Sequence, residues 1–191
     1  MNLYFSRINL QLPQGVIAEA NRHLAADTTV QLNFKPLHIQ YIDKLVEIHH
    51  RVLSNRYGLY TTSTLFGNNS VIHKDARKSA VNFALLGCGP GADTVFFNPV
   101  SSEPNYINIK SGKTPLTYII DPTVEVDRAT LTMGDCMLID TRTLHVVRNS
   151  TYNNRAVLSI DCKVSYQEAY EYFADLGLIE VDILDRDRPI F

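Results

Sequence analysis

Gly134-Asp135-Cys136-Met137-Leu138-Ile139-Asp140-Thr141-Arg142-Thr143-Leu144-His145-Val146-Val147-Arg148-Asn149 is followed six residues later by Arg155-Ala156-Val157-Leu158-Ser159-Ile160. Short apolar and β-branched runs alternate here with Gly, Asp, Asn and Thr, the residues that turns favour. The stretch therefore reads as strands at Cys136 to Asp140, Leu144 to Arg148 and Arg155 to Asp161. Thr151 to Asn154 reads as the tip of a hairpin, which would put His145 and Arg155 on neighbouring strands.

The same period-two pattern extends upstream. Further strands are expected at Tyr60 to Leu65, Ser70 to Lys74, Ser79 to Leu86, Thr94 to Asn98, Leu116 to Ile120 and Val124 to Thr132. Gly67-Asn68-Asn69, Gly87-Cys88-Gly89-Pro90-Gly91, Asp121-Pro122 and Met133-Gly134-Asp135 supply turns between them. Many short strands at this spacing imply a β-sandwich or barrel.

Outside that core the period changes. Ile8, Leu10 and Leu12 alternate with polar residues as in a half-buried strand, and Pro13 suits the first turn of a helix through Leu24. From His38 to about Asn55, Ile42, Leu45, Val46, His49, Val52 and Leu53 recur at helical intervals, predicting an amphipathic helix packed on the sheet. Ser165 and Glu168 form a capping box for a last helix, whose apolar face ends before Gly177. The charged tail from Asp182 to Phe191 reads as a surface wrap. The expected organisation is one domain over 1–191: an N-terminal strand and helices (1–58), a β core (59–162), and a C-terminal helix and tail (163–191).

Composition narrows the function classes. At 45% hydrophobic, 20% charged and formal net charge -2, with a pI near 6.3, the 191-residue chain has no overall positive field to draw it to phosphate backbones or anionic lipid. Its aromatics are dispersed and form no stacking platform, so nucleic acid is not an expected partner. The N-terminal ten residues lack a signal-peptide pattern and no apolar run spans a bilayer, giving the expectation of a cytoplasmic protein without a membrane segment. Cys88, Cys136 and Cys162 are odd in number and widely spaced, which suits reduced packing residues.

The chemistry is carried by few residues. On an extended strand His73 and Asp75 point to one face while Lys74 points away, so the two can reach one metal. Six His and thirteen Asp in 191 positions yield roughly 0.4 His-x-Asp pairs by chance, so the pair alone is a weak signal. His145 adds a second imidazole downstream, and Arg155 follows it by ten residues. Two imidazoles and a carboxylate on one face of Fe(II) leave three positions open, the arrangement non-heme oxygenases use. Arg155 carries a planar, permanently charged guanidinium suited to pairing with a carboxylate through two hydrogen bonds.

His49, on the apolar stripe of its helix, reads as a core residue, and His23, His38 and His50 as helix surface. Lys74, Arg77, Lys78, Arg142 and Arg148 flank the ligand segments and read first as solvated strand ends, with an electropositive mouth for an anionic substrate as the second reading.

This pattern resembles the Fe(II)/2-oxoglutarate-dependent dioxygenases. In them a Gly-x(4)-[Ile/Phe]-Asp run, here Gly134 to Asp140, precedes the distal His, and an Arg about ten residues later binds the cosubstrate. The resemblance covers His73 to Ile160. It implies a mainly β, double-stranded β-helix (a cupin-like jelly roll) with flanking N-terminal and C-terminal helices. It further implies Fe(II) on His73, Asp75 and His145, 2-oxoglutarate on Arg155, and hydroxylation of a substrate with release of succinate and carbon dioxide. The Arg-x-Ser pattern common in these families is broken, because Val157 stands at the Ser position. Tyr118, Thr94 and Asn82 are therefore the candidates for the remaining cosubstrate contacts. The expected substrate is an amino acid, a peptide or protein side chain, or another small metabolite. Alternative readings are a metal-dependent cupin enzyme without 2-oxoglutarate and a non-catalytic jelly-roll binding module. The loops 87–92 and 99–113 are candidate lids.

Overall fold

The computed structural model describes residues 4–26, 36–62, 71–111, 114–151 and 154–179. In chain order these form β1 (Phe5–Arg7), α1 (Gln14–Ala26), α2 (Pro36–Ile48), β2 (Leu53–Thr62), β3 (His73–Asp75), β4 (Ala80–Leu86) and β5 (Ala92–Pro99). They continue with β6 (Tyr106–Ser111), β7 (Thr114–Ile119), β8 (Thr123–Thr130), β9 (Cys136–Ile139), β10 (Leu144–Asn149), β11 (Arg155–Cys162) and α3 (Tyr166–Asp175).

The strands make a five-stranded sheet, order β1-β9-β4-β11-β2, and a six-stranded sheet, order β6-β7-β3-β10-β5-β8. Setting aside β1 and the β6–β7 hairpin, which extend the sheet edges, four strands remain in each sheet. Along these eight strands the chain crosses to the opposite sheet at every step except β5 to β8, which pair with one another. That alternation is a double-stranded β-helix, the jelly roll.

The alternation of side chains explains the layering. On β4, Val81, Phe83 and Leu85 face outward and join a core with Val16 and Ala20 of α1, Ile42, Leu45 and Val46 of α2, and Tyr166, Ala169 and Phe173 of α3. Ala84, on the opposite face, packs between the sheets with Phe96, Met137 and Ile139. All three helices thus cover the outer face of the five-stranded sheet, and burying each large side chain there stabilises the fold by roughly 2 kcal/mol. The capping box is present, with the Ser165 hydroxyl accepting from the Glu168 backbone N–H and the Glu168 carboxylate accepting from the Ser165 N–H.

Several expectations need correction. The link from Asn149 to Arg155 is not a hairpin: β10 pairs with β3 and β5, and β11 with β2 and β4 in the other sheet. Turn residues mark a reversal without fixing which sheet the chain re-enters. Here the link is held by the 87–91 turn, where the Ser150 N–H donates to the Gly91 carbonyl and the Cys88 thiol to the Ala156 carbonyl. Gly87 has φ 58°, and a Cβ there would run into the Asn154 carbonyl.

The second helix ends at Ile48, not near Asn55, because the His49 carbonyl turns the chain by accepting from the N–H groups of Val52 and Leu53. Leu53 already pairs with Cys162 in β2. Within the expected 99–113 loop, Tyr106–Ser111 is a strand hydrogen-bonded to β7. The N-terminal strand is Phe5–Arg7, while Leu10 and Leu12 are buried outside any strand. Leu65, the 67–69 turn, the start of the Ser70 strand, the turn residues 152–153 and the 182–191 tail lie outside the described residues.

Candidate metal centre and its anion pocket

His73 on β3 and His145 on β10 stand directly opposite one another in an antiparallel register. Such partners share a face, so both imidazoles and Asp75, two residues on, point between the sheets. The two rings lie 4.7 Å apart. The His73 Nδ1 is 2.8 Å from the Val71 carbonyl, and the His145 Nδ1 is 2.8 Å from the Thr143 carbonyl. A carbonyl only accepts, so each Nδ1 carries a proton and Nε2 is the nitrogen left for a metal; the neutral His145 presents its lone pair there, and His73 does so on giving up the Nε2 proton that faces Asp75.

Asp75 divides its two oxygens. Oδ1 lies 3.5 Å from the His73 Nε2, and Oδ2 accepts from the Arg77 Nε at 2.6 Å. The ligand atoms of His73, Asp75 and His145 lie within 4.8 Å of one another. One cation with bonds of about 2 to 2.5 Å can bridge that spread.

The electrostatics agree with the geometry. Burial works to raise the Asp75 pKa, but the His73 hydrogen bond and the Arg77 charge outweigh it and hold the carboxyl well below its usual range. Burial and the neighbouring His73 push His145 down to about 4, so it stays neutral. His73 moves the other way, raised by Asp75 and the Val71 carbonyl against the opposing effect of burial.

These side chains line a cavity of about 370 Å3 together with Asn82, Thr94, Arg155 and Ser159. Arg155 opens β11 and is 2% exposed. Its Nη2 donates to the Thr94 hydroxyl at 3.4 Å, while its Nε has no hydrogen-bond partner. The Asn82 Oδ1 is likewise buried and without a partner. A buried polar atom left unpaired costs about 1 to 3 kcal/mol; the cationic Arg155 suits an anion, whereas the Asn82 Oδ1 only accepts and calls for a donor. Val157 lines the wall where a hydroxyl was expected, and the hydroxyl beside Arg155 comes from Thr94 on β5 of the other sheet.

The structure thus brings His73, Asp75, His145, Arg155, Asn82 and Thr94 to one cavity. Tyr118 is opposite His73 in register with its ring 5.9 Å from the imidazole, but the cavity wall on that strand is Leu116. His49 is a core residue, its Nδ1 3.2 Å from the Tyr172 hydroxyl. His50 is exposed. Lys74 stacks over Tyr106, and Arg148 over Phe97 with an ion pair to Glu125, so neither points at the centre.

Arg77 is what the sequence reading missed. It is a cavity residue and not a solvated strand end. The signal was available, since Arg77 continues the His73, Asp75 alternation by one further step.

No family model matches the chain, and no curated protein matches it. Among solved structures the chain is similar to "the epimerase SnoN in complex with Fe3+, alpha ketoglutarate and nogalamycin RO", at 14% identity and a TM-score of 0.47 over 83% of this chain and 78% of that one. It is also similar to "the non-heme alpha ketoglutarate dependent epimerase SnoN from nogalamycin biosynthesis", at 13% identity and a TM-score of 0.43 over 83% and 76%. Among the described residues no helix is long and apolar enough to cross a membrane.

Proposed function

We propose that the protein is an Fe(II)- and 2-oxoglutarate-dependent oxygenase. The observation that carries this reading is the coincidence of a three-ligand cluster with the buried, cationic Arg155 in one cavity, where the Arg155 Nε lacks a hydrogen-bond partner.

His73, Asp75 and His145 would hold the iron, each imidazole through its Nε2. With Fe(II), 2-oxoglutarate and O2 the site would supply hydroxylation of a substrate C–H bond, one oxygen atom of O2 going to the substrate and the other to succinate as carbon dioxide leaves. Arg155 takes the distal carboxylate of the cosubstrate, with the Thr94 hydroxyl completing that contact. Asn82 adds a polar contact from β4, the neighbour of β11 in the five-stranded sheet. Leu116, Ile139, Val147 and Val157 form the apolar wall and keep water from the reacting centre. Because Arg155 is buried, its charge is undiluted by solvent and selects a dianion over a neutral ligand.

The substrate class in this reading is an amino acid, a peptide or protein side chain, or another small metabolite. Adding 2-oxoglutarate to anaerobic Fe(II)-loaded protein tests the proposal. A visible metal-to-ligand charge-transfer band is the expected result. Iron binding without that band would instead favour a cupin metalloenzyme that makes no use of 2-oxoglutarate, and no stoichiometric metal would favour a binding module.

A further inference from the structure

Arg77 has an unusual position for a basic residue: it is inside the barrel, its side chain only 15% exposed, and it contacts both sheets. Its Nε donates to the Asp75 Oδ2, on β3, at 2.6 Å. Its Nη1 donates to the Ser159 hydroxyl at 2.8 Å and to the Asp161 Oδ1 at 3.0 Å, both on β11. The guanidinium lies over the Tyr60 ring of β2, 5.3 Å from its centroid. Its own carbonyl accepts from the Thr141 hydroxyl at 2.9 Å, and the Thr141 carbonyl accepts from the Asp75 N–H at 2.9 Å.

We infer that Arg77 is a positioning residue for the metal centre: by occupying the Asp75 Oδ2 it keeps Asp75 a one-oxygen ligand and locks that carboxylate to the opposite sheet through Ser159 and Asp161. The inference rests on the metal-site reading above and goes beyond it in assigning a function to a residue outside the ligand set.

The reasoning is one of valence. A free carboxylate can chelate through both oxygens, and doing so here would take one of the three positions that cosubstrate and oxygen need. With Oδ2 held by a charge-assisted hydrogen bond, only Oδ1, on the His73 side, remains. Asp161 explains why the clamp survives metal binding. When Asp75 shares its charge with a cation, its pull on Arg77 weakens, and the second carboxylate, itself 15% exposed, keeps the guanidinium in place. A lysine has one donor head and cannot serve Asp75, Ser159 and Asp161 at fixed angles.

The test uses Mn(II) and Co(II) as probes on the full chain. Mn(II) affinity is followed by loss of the free-ion electron paramagnetic resonance signal, and ligand number by the Co(II) visible spectrum. Arg77→Gln is expected to weaken Mn(II) binding 10- to 100-fold, the usual cost of losing a residue that orients a ligand, and to alter the Co(II) band intensities. Arg77→Lys should recover part of the affinity. Asp161→Asn, which leaves the Asp75 contact intact, should weaken binding in the same direction by less. Urea unfolding of each variant separates lost fold from lost metal. Wild-type Mn(II) affinity and an unchanged Co(II) spectrum in folded Arg77→Gln would overturn the inference while leaving the metal site standing. Should Arg77→Gln fail to fold, unchanged affinity and spectrum in both Arg77→Lys and Asp161→Asn would overturn it equally. If the wild-type chain binds neither ion, the metal-site reading and this inference fall together.

Discussion

His73 and His145 are held in mirror-like fashion: each stands across the β3–β10 pair from the other, and each ties its Nδ1 to the carbonyl two residues before it. Local backbone therefore sets both tautomers, with no dedicated carboxylate needed behind either ring. Under the proposed function this implies a division of labour between metal and cosubstrate contacts. Asp75→Ala is expected to abolish succinate formation by removing the ligand charge. Arg155→Ala should leave metal binding intact and weaken 2-oxoglutarate roughly 10- to 100-fold, from the 1.5 to 3 kcal/mol of a charged hydrogen bond. Equilibrium titration of both ligands into each variant measures the split, and identical behaviour of the two variants would refute it.

Thr94 carries a finer prediction. Its hydroxyl is the group beside the Arg155 Nη2, in place of the one absent at Val157. Thr94→Val keeps the shape and removes one hydrogen bond whose 3.4 Å length keeps it weak, worth about 0.5 to 1.5 kcal/mol. The 2-oxoglutarate dissociation constant should rise roughly 2- to 10-fold with Mn(II) affinity unchanged. Unaltered 2-oxoglutarate binding would take Thr94 out of the site.

How far the sequence reached follows from what each pattern encodes. The jelly roll was legible because strands two residues in period, broken by turn residues, leave few alternatives, and Val81, Phe83 and Leu85 sit on one face as their spacing requires. The candidate ligands His73 and Asp75 were legible because His-x-Asp fixes a shared face locally. Which sheet β11 joins was not, since that is decided by long-range pairing of Leu158 with Phe83 and Leu59. Arg77 was passed over because composition treats an Arg at a strand end as solvated, and only the opposite sheet supplies Ser159 and Asp161. The β6 strand was hidden by its exposed Ile107 and Ile109, which bury too little to stand out from a loop.

The layer between helices and sheet should dominate stability. Phe83 is 2% exposed on β4 and shares one core with residues of all three helices. Phe83→Ala removes a buried ring and leaves a cavity, at a cost of about 3 to 5 kcal/mol. Urea unfolding should show a lower midpoint with an unchanged slope. A loss below about 1 kcal/mol would mean that the helices do not depend on that face of the sheet.

His49 gives the fold a pH dependence separate from the metal site. It is buried against Tyr172 and Phe173, and burial lowers its pKa below the ordinary 6.5. Between that lowered value and 6.5 the unfolded chain binds a proton that the folded chain does not, so stability rises with pH across this window. The contribution is fully present above about pH 6.5 and is lost as the pH falls. His49→Gln keeps a polar side chain near the Tyr172 hydroxyl and removes the titration. Urea unfolding of metal-free protein at pH 7.5 and 5.5 should show the wild type losing more stability than His49→Gln over that interval. An equal loss in the two proteins would mean that His49 charges as readily in the fold as in the unfolded chain.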